Sequence, residues 1–337
     1  MDVVDQYRKL QEPSGALIAD VGKLEGDVII LGVGGKMGPD LAKLARRAID
    51  ISGKKIRVIG VARFSEPSLK KELEQNGVET ISADLLEDDQ LAKLPEVPNV
   101  LYLAGMKFGT TGKESLTWAM NSYLPGRVAE KYKHSKIVAF STGNVYPFTT
   151  VASGGPAEQH AVEPVGEYAQ SCLGRERMFQ YFSVKNQTPV LIFRLNYAND
   201  VSYGVLLDIA RSVKEGKTID LRMGYVNVIW QRDANEMAIR SLHHCSTPAK
   251  ILNIAGPKIL SVRSLATEFG VLFNEQPRFV NEEQGTALLS NAKESVRLFG
   301  EPAVRVSDMV ALIARWVNEG RKTSQKPTHF QEREGKF

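Results

Sequence analysis

A short β-branched run, Asp27-Val-Ile-Ile-Leu31, leads directly into Gly32-Val-Gly-Gly-Lys-Met-Gly38, and apolar residues then recur at helical spacing from Leu41 to Ile49. Strand, glycine turn and helix in that order restrict the fold sharply. Glycines at such a turn let the backbone approach a pyrophosphate, while the helix N-terminus behind it offers unpaired N–H groups and partial positive charge. Met37 stands where the simple G-x-G-x-x-G pattern needs its third glycine, so the spacing fits G-x-x-G-x-x-G through Gly32, Gly35 and Gly38. Gly34 is an additional small residue, and Lys36 and Met37 complete the turn. A tight turn without a ligand is the plainer alternative, but the strand before and the helix after favour a nucleotide site.

The same alternation continues along the chain. Strands are expected at Ile56–Ala62, Glu79–Ser82, Val100–Ala104, Lys136–Phe140 and Pro189–Arg194, with helices at Leu69–Gln75, Ser115–Tyr132 and Tyr168–Val184. Six strands separated by helices imply an α/β, Rossmann-type doubly wound parallel sheet. Beyond Asn196 the pattern loosens, with helices expected at Val205–Lys214, Ala234–His243, Val262–Leu272 and Val306–Asn318. The resulting division is an N-terminal extension (1–26, with a helix at Leu17–Leu24), a dinucleotide-binding domain (27–198), and a region (199–320) that is mainly a smaller substrate lobe. Some segments of that lobe are expected to return to the sheet, and residues 321–337 read as a solvated polar tail.

Composition narrows the classes. The 337 residues are 43% hydrophobic and 24% charged, enough to bury a large core, and the formal net charge of +4 is spread without a basic stripe interleaved with aromatics. Nucleic acid is therefore not an expected partner. Cys172 and Cys245 provide neither a disulfide framework nor metal-ligand spacing, so no metal is expected. No apolar run approaches the ~20 residues of a membrane span, and the first residues lack the features of a signal peptide. A reducing cytoplasm is the expected location.

The end of the second strand discriminates between dinucleotides, because an acid there would accept from ribose hydroxyls and an arginine would face a 2′-phosphate. Arg63 occupies it, with Ser65 as a second phosphate contact, which slightly favours NADP over NAD; a solvent-facing arginine is the alternative. Asp84, with Leu85 beside it, is placed to accept from an adenine amino group or else simply caps the next turn. Leu103-Ala-Gly-Met-Lys107 follows the fourth strand.

In order along the chain, the glycine turn, Asp84, Leu103–Lys107, Asn121, Ser141-Thr-Gly-Asn-Val-Tyr146, Tyr168 and Arg194-Leu-Asn196 resemble the extended short-chain dehydrogenase/reductase superfamily, NAD-dependent epimerase/dehydratase branch. Val226–Asp233 and Ile251–Pro257 extend the likeness, and Ala104-Gly-Met-Lys-Phe-Gly109 looks like the cofactor-side loop of UDP-galactose 4-epimerases. The resemblance implies a cofactor lying along Leu103, Ala104, Gly105 and Lys107. It implies Thr142 on the reacting oxygen with Ser141 beside it, Tyr168 as acid/base, Asn121 in support and Asn196 near the nicotinamide or substrate end. His160, in the Pro147–Val165 loop, could touch substrate or lie on the surface.

One position departs from the family. Where Tyr-x-x-x-Lys is usual, this chain has Tyr168-Ala-Gln-Ser-Cys172. A free phenol has a pKa near ~10, so about one in a thousand is ionised at pH 7; losing a lysine that brings it near 7 is worth about 4 kcal/mol. A thiol cannot substitute, because it is a weak donor and its thiolate would raise a neighbouring phenol's pKa. Three alternatives follow: Lys107 or Lys36 supplies charge from another side, Tyr168 acts only as a hydrogen-bond donor, or the protein binds nucleotide without turnover. The expectation is an NAD(P)-dependent epimerase/dehydratase or reductase acting on a sugar, sugar nucleotide or related polyol. The contrasting one is a cofactor-binding pseudoenzyme that senses or scaffolds. The helices at Ser115–Tyr132 and Tyr168–Val184 pair across a dimer interface in many relatives, so a homodimer is expected.

Overall fold

In the computed structural model, residues 2–107, 109, 112–324 and 327–335 are described; Phe108 of the cofactor-side loop and four positions of the polar tail fall outside them. The helices in chain order are α1 (Val3–Leu10), α2 (Gly15–Val21), α3 (Gly38–Ser52), α4 (Pro67–Gln75), α5 (Asp88–Ala92), α6 (Glu114–Trp118) and α7 (Leu124–Lys131). They continue with α8 (Gly166–Asn186), α9 (Val205–Lys214), α10 (Gln231–Arg240), α11 (Val262–Phe273), α12 (Lys293–Phe299) and α13 (Val306–Asn318). The central sheet contains β1 (Val28–Leu31), β2 (Val58–Ala62), β3 (Glu79–Ser82), β4 (Asn99–Tyr102), β5 (Lys136–Thr142), β6 (Val190–Leu195) and β7 (Lys250–Ile254).

All seven strands are parallel, in the spatial order β7-β6-β5-β4-β1-β2-β3. The seventh is the segment that the second half returns to the sheet. The inner strands are apolar on both faces because both are covered, whereas the edge strand β3 is polar and partly exposed. On one face Val28, Ile30, Val58 and Leu101 pack with Leu41, Ala45 and Ile49 of α3 and with Ala234 and Ala238 of α10. On the other, Ile29, Leu31, Val61 and Val100 pack with Val128 of α7 and Phe179 of α8. The period of two in β1 thus divides its side chains between two cores.

Three local outcomes differ from the sequence reading. The helix expected at Ser115–Tyr132 is interrupted by a π-helical turn, Ala119–Tyr123, between α6 and α7. The N-terminal extension forms two helices instead of one. In α1, Val3, Val4, Tyr7 and Leu10 face the lobe core, and the Tyr7 hydroxyl donates to Asp200 Oδ2 at 3.0 Å. The tail is not a solvated end: Thr328 donates from its backbone and hydroxyl to Asp208, Phe330 is buried, and Arg333 lies over the Phe148 ring. A few apolar and hydroxyl groups among polar neighbours sufficed to dock it. No helix among the described residues is long and apolar enough to cross a membrane.

Candidate active site

In a parallel sheet, ligands bind at the carboxyl ends of the strands where the strand order reverses. Here that point lies between β1 and β4, whose ends are the glycine turn and Leu103–Lys107. Gly32 has φ +90°, and a Cβ on it would lie 2.6 Å from the Ala104 nitrogen. A Cβ on Gly38 would lie 2.3 Å from the Val33 carbonyl oxygen. These two glycines permit the turn and the close seating of α3. Gly34 and Gly35 are exposed and less crowded, so their open backbone faces the groove. The residues therefore fit a dinucleotide pyrophosphate, held by the remaining N–H groups of the turn, since Pro39 in the first turn of α3 has none.

Arg63 and Ser65 are exposed beyond β2, and Arg63 Nη1 lies 3.9 Å from Asp84 Oδ2. The two side chains assigned to the adenosine end thus meet at one lip. Asp84 also accepts from the Leu86 backbone at 3.0 Å, as a turn-capping aspartate does, while Leu85 is buried in the core. Leu103 packs against the sheet, with its backbone donating to Leu31 at 2.8 Å, and Ala104 is buried. Met37 is partly buried against the α3 side of the core.

The two lysines lie along the groove. The exposed Lys36 places its ammonium on the Tyr203 ring. The Lys107 ammonium lies 5.9 Å from the centre of the Tyr168 ring, and burial brings its pKa down to about 8.

At the far end, Tyr168 and Thr142 come together. The Tyr168 phenol lies beside Thr142 and Cys172, and burial above all, then Cys172, raises its pKa well above 10. Thr142 Oγ1 also donates to Asn144 Oδ1 at 2.9 Å. Cys172 is fully buried and its thiol is pushed up by burial, so it is a neutral SH. Ser141 turns away from this pair: its hydroxyl donates to Glu176 Oε1 at 2.6 Å, in a buried ion pair with Arg194. Arg194 Nη1 in turn donates to the Tyr146 hydroxyl at 2.6 Å, and Tyr146 to Asn253 at 2.8 Å. Asn196 is buried and donates to Asn227 Oδ1 at 3.2 Å, linking the end of β6 to the lobe. His160 is exposed, its ring edge-on to Tyr146.

The π-helical turn explains how Asn121 reaches the site. Its extra residue turns Asn121 fully inward, where Oδ1 accepts from the Met106 backbone at 2.8 Å and Nδ2 donates to Met106 O at 2.8 Å and Ser171 Oγ at 3.0 Å. Arg175, not singled out from the sequence, completes the arrangement: Nη2 donates to Asn121 Oδ1 and Nη1 to Phe140 O, both at 2.8 Å. The available signal was helical spacing, since Tyr168, Cys172, Arg175 and Phe179 form one buried stripe of α8.

A seven-stranded parallel sheet covered by helices on both faces, with a glycine turn at its switch point, defines a Rossmann-type α/β protein. The sequence profile of the NAD dependent epimerase/dehydratase family matches residues 28–249, and the chain belongs to that family. Among solved structures it is similar to UDP-glucuronic acid 4-epimerase from Bacillus cereus in complex with NAD (TM-score 0.72, 17% identity, 87% of this chain and 96% of that chain). It is also similar to MoeE5 in complex with UDP-glucose and NAD (TM-score 0.70, 16% identity, 88% and 99%). A third is UDP-glucose 4-epimerase from Thermotoga maritima with UDP-glucose (TM-score 0.69, 14% identity, 87% and 99%). No curated protein sequence matches.

Proposed function

We propose that the protein is an NAD(P)-dependent oxidoreductase or epimerase acting on a sugar nucleotide or related polyol, with Tyr168 and Thr142 handling the hydroxyl proton. The observation that carries this reading is Tyr168 beside Thr142 at the carboxyl end of β5, the end of the parallel sheet that also carries the glycine turn after β1. Gly32, Gly34, Gly35, Lys36, Met37 and Gly38 would hold the pyrophosphate, and Arg63, Ser65, Asp84 and Leu85 the adenosine end. Arg63 favours NADP slightly, while two of the solved structures named above contain NAD. When bound, the dinucleotide supplies two-electron hydride exchange with a carbinol carbon.

The chain's own groups manage the proton. With its pKa well above 10, Tyr168 rests as a neutral phenol and donates to the substrate oxygen, while Thr142 fixes the position of that oxygen. Abstracting a proton needs the phenolate, which requires a nearby positive charge. Lys107 brings one over the ring, and it is lost as the pH rises through about 8. Leu103, Ala104, Gly105, Asn121 and Asn196 shape the groove.

The contrasting reading, a cofactor-binding protein without turnover, is favoured by one observation: a neutral thiol stands where the family lysine would hold the tyrosine ionised. Mass spectrometry of nucleotide released from purified protein, followed by absorbance at 340 nm on adding UDP-glucose or UDP-glucuronic acid, separates the two. Reduction that disappears in Tyr168→Phe supports the enzyme; bound nucleotide with no reduction by any sugar nucleotide tested supports the binding module.

We also infer a homodimer. Trp118, Tyr123, Tyr181 and Val184 are 38%, 58%, 58% and 57% exposed on the outer side of α6, the π turn and α8, an apolar face a partner copy would cover. Sedimentation should give twice the chain mass; a monomer at micromolar concentration contradicts this.

A further inference from the structure

We propose that Arg175 provides, from beneath Tyr168, the fixed positive charge that this chain lacks at Cys172. The proposal rests on the reading of Tyr168 as the proton-exchanging group, and it assigns Arg175 as a positioning residue that acts through the phenol.

The geometry begins with helix spacing. Arg175 lies three residues after Cys172 and seven after Tyr168, on one face of α8, and helical side chains lean toward the N-terminus, which brings the guanidinium back under both. Arg175 is 6% exposed, and its guanidinium donates to two neutral acceptors, Phe140 O and Asn121 Oδ1, and lies 5.8 Å from the centre of the Tyr102 ring. Its Nε has no hydrogen-bond partner among the described residues. The adjacent Glu176 is committed to Arg194, held by bonds of 2.9 and 2.6 Å. The guanidinium charge is therefore not cancelled by a carboxylate in contact with it.

Two small residues make room for it. A Cβ on Gly105 would lie 2.3 Å from Arg175 Nη2, so a larger residue there would have to push the guanidinium from its place. Cys172 is short and fully buried, where a lysine stem would compete for the same space and bring a second cation into it. Cys172 and Arg175 thus read as a linked exchange in which the cation moves one turn along the helix.

The field acts on the right group. Burial and Cys172 push the Tyr168 pKa up, and Arg175 opposes them. Lys107 cannot serve as the fixed charge, since it titrates near 8, whereas a guanidinium stays protonated at any working pH. By tying Phe140 O and Asn121, Arg175 also positions the strand end that leads to Thr142 and the loop that carries Lys107.

A charge-swap series on the full-length chain tests this. Thermal midpoints of Cys172→Met, Cys172→Lys and Cys172→Lys/Arg175→Met are compared from pH 6 to pH 9.5. Two cations in one buried pocket repel, so Cys172→Lys is expected to melt at least about 5 °C below Cys172→Met at pH 6, with the gap narrowing at pH 9.5 as the lysine loses its proton. Removing Arg175 as well should abolish most of the gap and its pH dependence. A Cys172→Lys protein that folds only when Arg175 is also replaced supports the proposal. Equal behaviour with and without Arg175, or failure of the double variant to fold, overturns it.

The second measurement follows reduction of bound NAD at 340 nm with UDP-glucose as probe. Arg175→Met is expected to shift the pH profile upward by at least about one unit, a tenfold loss near neutrality. Arg175→Lys and Cys172→Lys/Arg175→Met should restore it, and a profile unmoved in Arg175→Met overturns the proposal. If no protein in the series reduces NAD, the proposed chemistry fails, while the melting series still decides where the cation sits.

Discussion

Two buried arginines meet α8, Arg175 on the helix itself and Arg194 on β6, and their surroundings are opposite. Arg194 is 2% exposed and gripped by the fully buried Glu176, with Ser141 and Tyr146 satisfying the remaining groups. Arg175 is 6% exposed and rests on a backbone carbonyl and an amide oxygen. A neutralised pair has little field to offer a neighbour and serves as a rigid joint between α8, β5 and β6. An unneutralised guanidinium costs more to bury per hydrogen bond and keeps its charge available to Tyr168 and Cys172. The contrast separates structure from electrostatics at neighbouring positions of α8, Glu176 binding Arg194 of β6 and Arg175 standing beside it.

The largest expected effect breaks the joint. Glu176→Ala leaves Arg194 buried without its counter-charge and should destabilise by about 3–5 kcal/mol in chemical denaturation. The double replacement Glu176→Met with Arg194→Met should recover part of that loss; a double variant worse than Glu176→Ala would mean that the pair is not a self-contained unit.

Arg175→Met should cost less, about 1–3 kcal/mol, because only neutral acceptors lose a donor and a buried charge is relieved at the same time. A loss as large as that of Glu176→Ala would erase the difference between the two arginines.

The smallest effect concerns the labile cation. Lys107 has its pKa depressed from 10.5 to about 8 by burial, so the folded state binds its proton less tightly than the unfolded chain. Stability from this group is present above pH 10.5 and is lost as the pH falls through 8. Lys107→Met should therefore raise stability by on the order of 1 kcal/mol at pH 6.5 and by much less at pH 10, measured by urea midpoints. An equal change at both values would show that Lys107 is not desolvated in the folded protein.

The parallel sheet was legible because β-branched runs alternating with helical periodicity admit few other arrangements, and the profile match and solved relatives agree with it. The glycine turn could be read because glycine spacing carries a steric meaning at each position. The absence of lysine at Cys172 was also visible, since it is a local substitution in a known spacing. What compensates for it was not. Arg175 looks like an ordinary surface arginine until the π-helical turn swings Asn121 inward and Gly105 leaves a gap, and both depend on contacts between residues 54 and 70 positions apart. The docked tail escaped notice for a related reason: Thr328 and Phe330 are isolated among polar residues, and their partners Asp208 and Tyr197 lie more than a hundred residues earlier.

The central claim is that the glycine turn holds a dinucleotide whose nicotinamide end reaches Tyr168. Titrating NADH and NADPH into the purified chain and into Gly38→Val, with nicotinamide fluorescence as the readout, tests it most directly. The account predicts saturable binding of at least one nucleotide by the native chain and its loss in the variant, whose larger side chain cannot clear the Val33 carbonyl. Absence of binding of both nucleotides to the native chain, or unchanged affinity in a folded Gly38→Val protein, would contradict it.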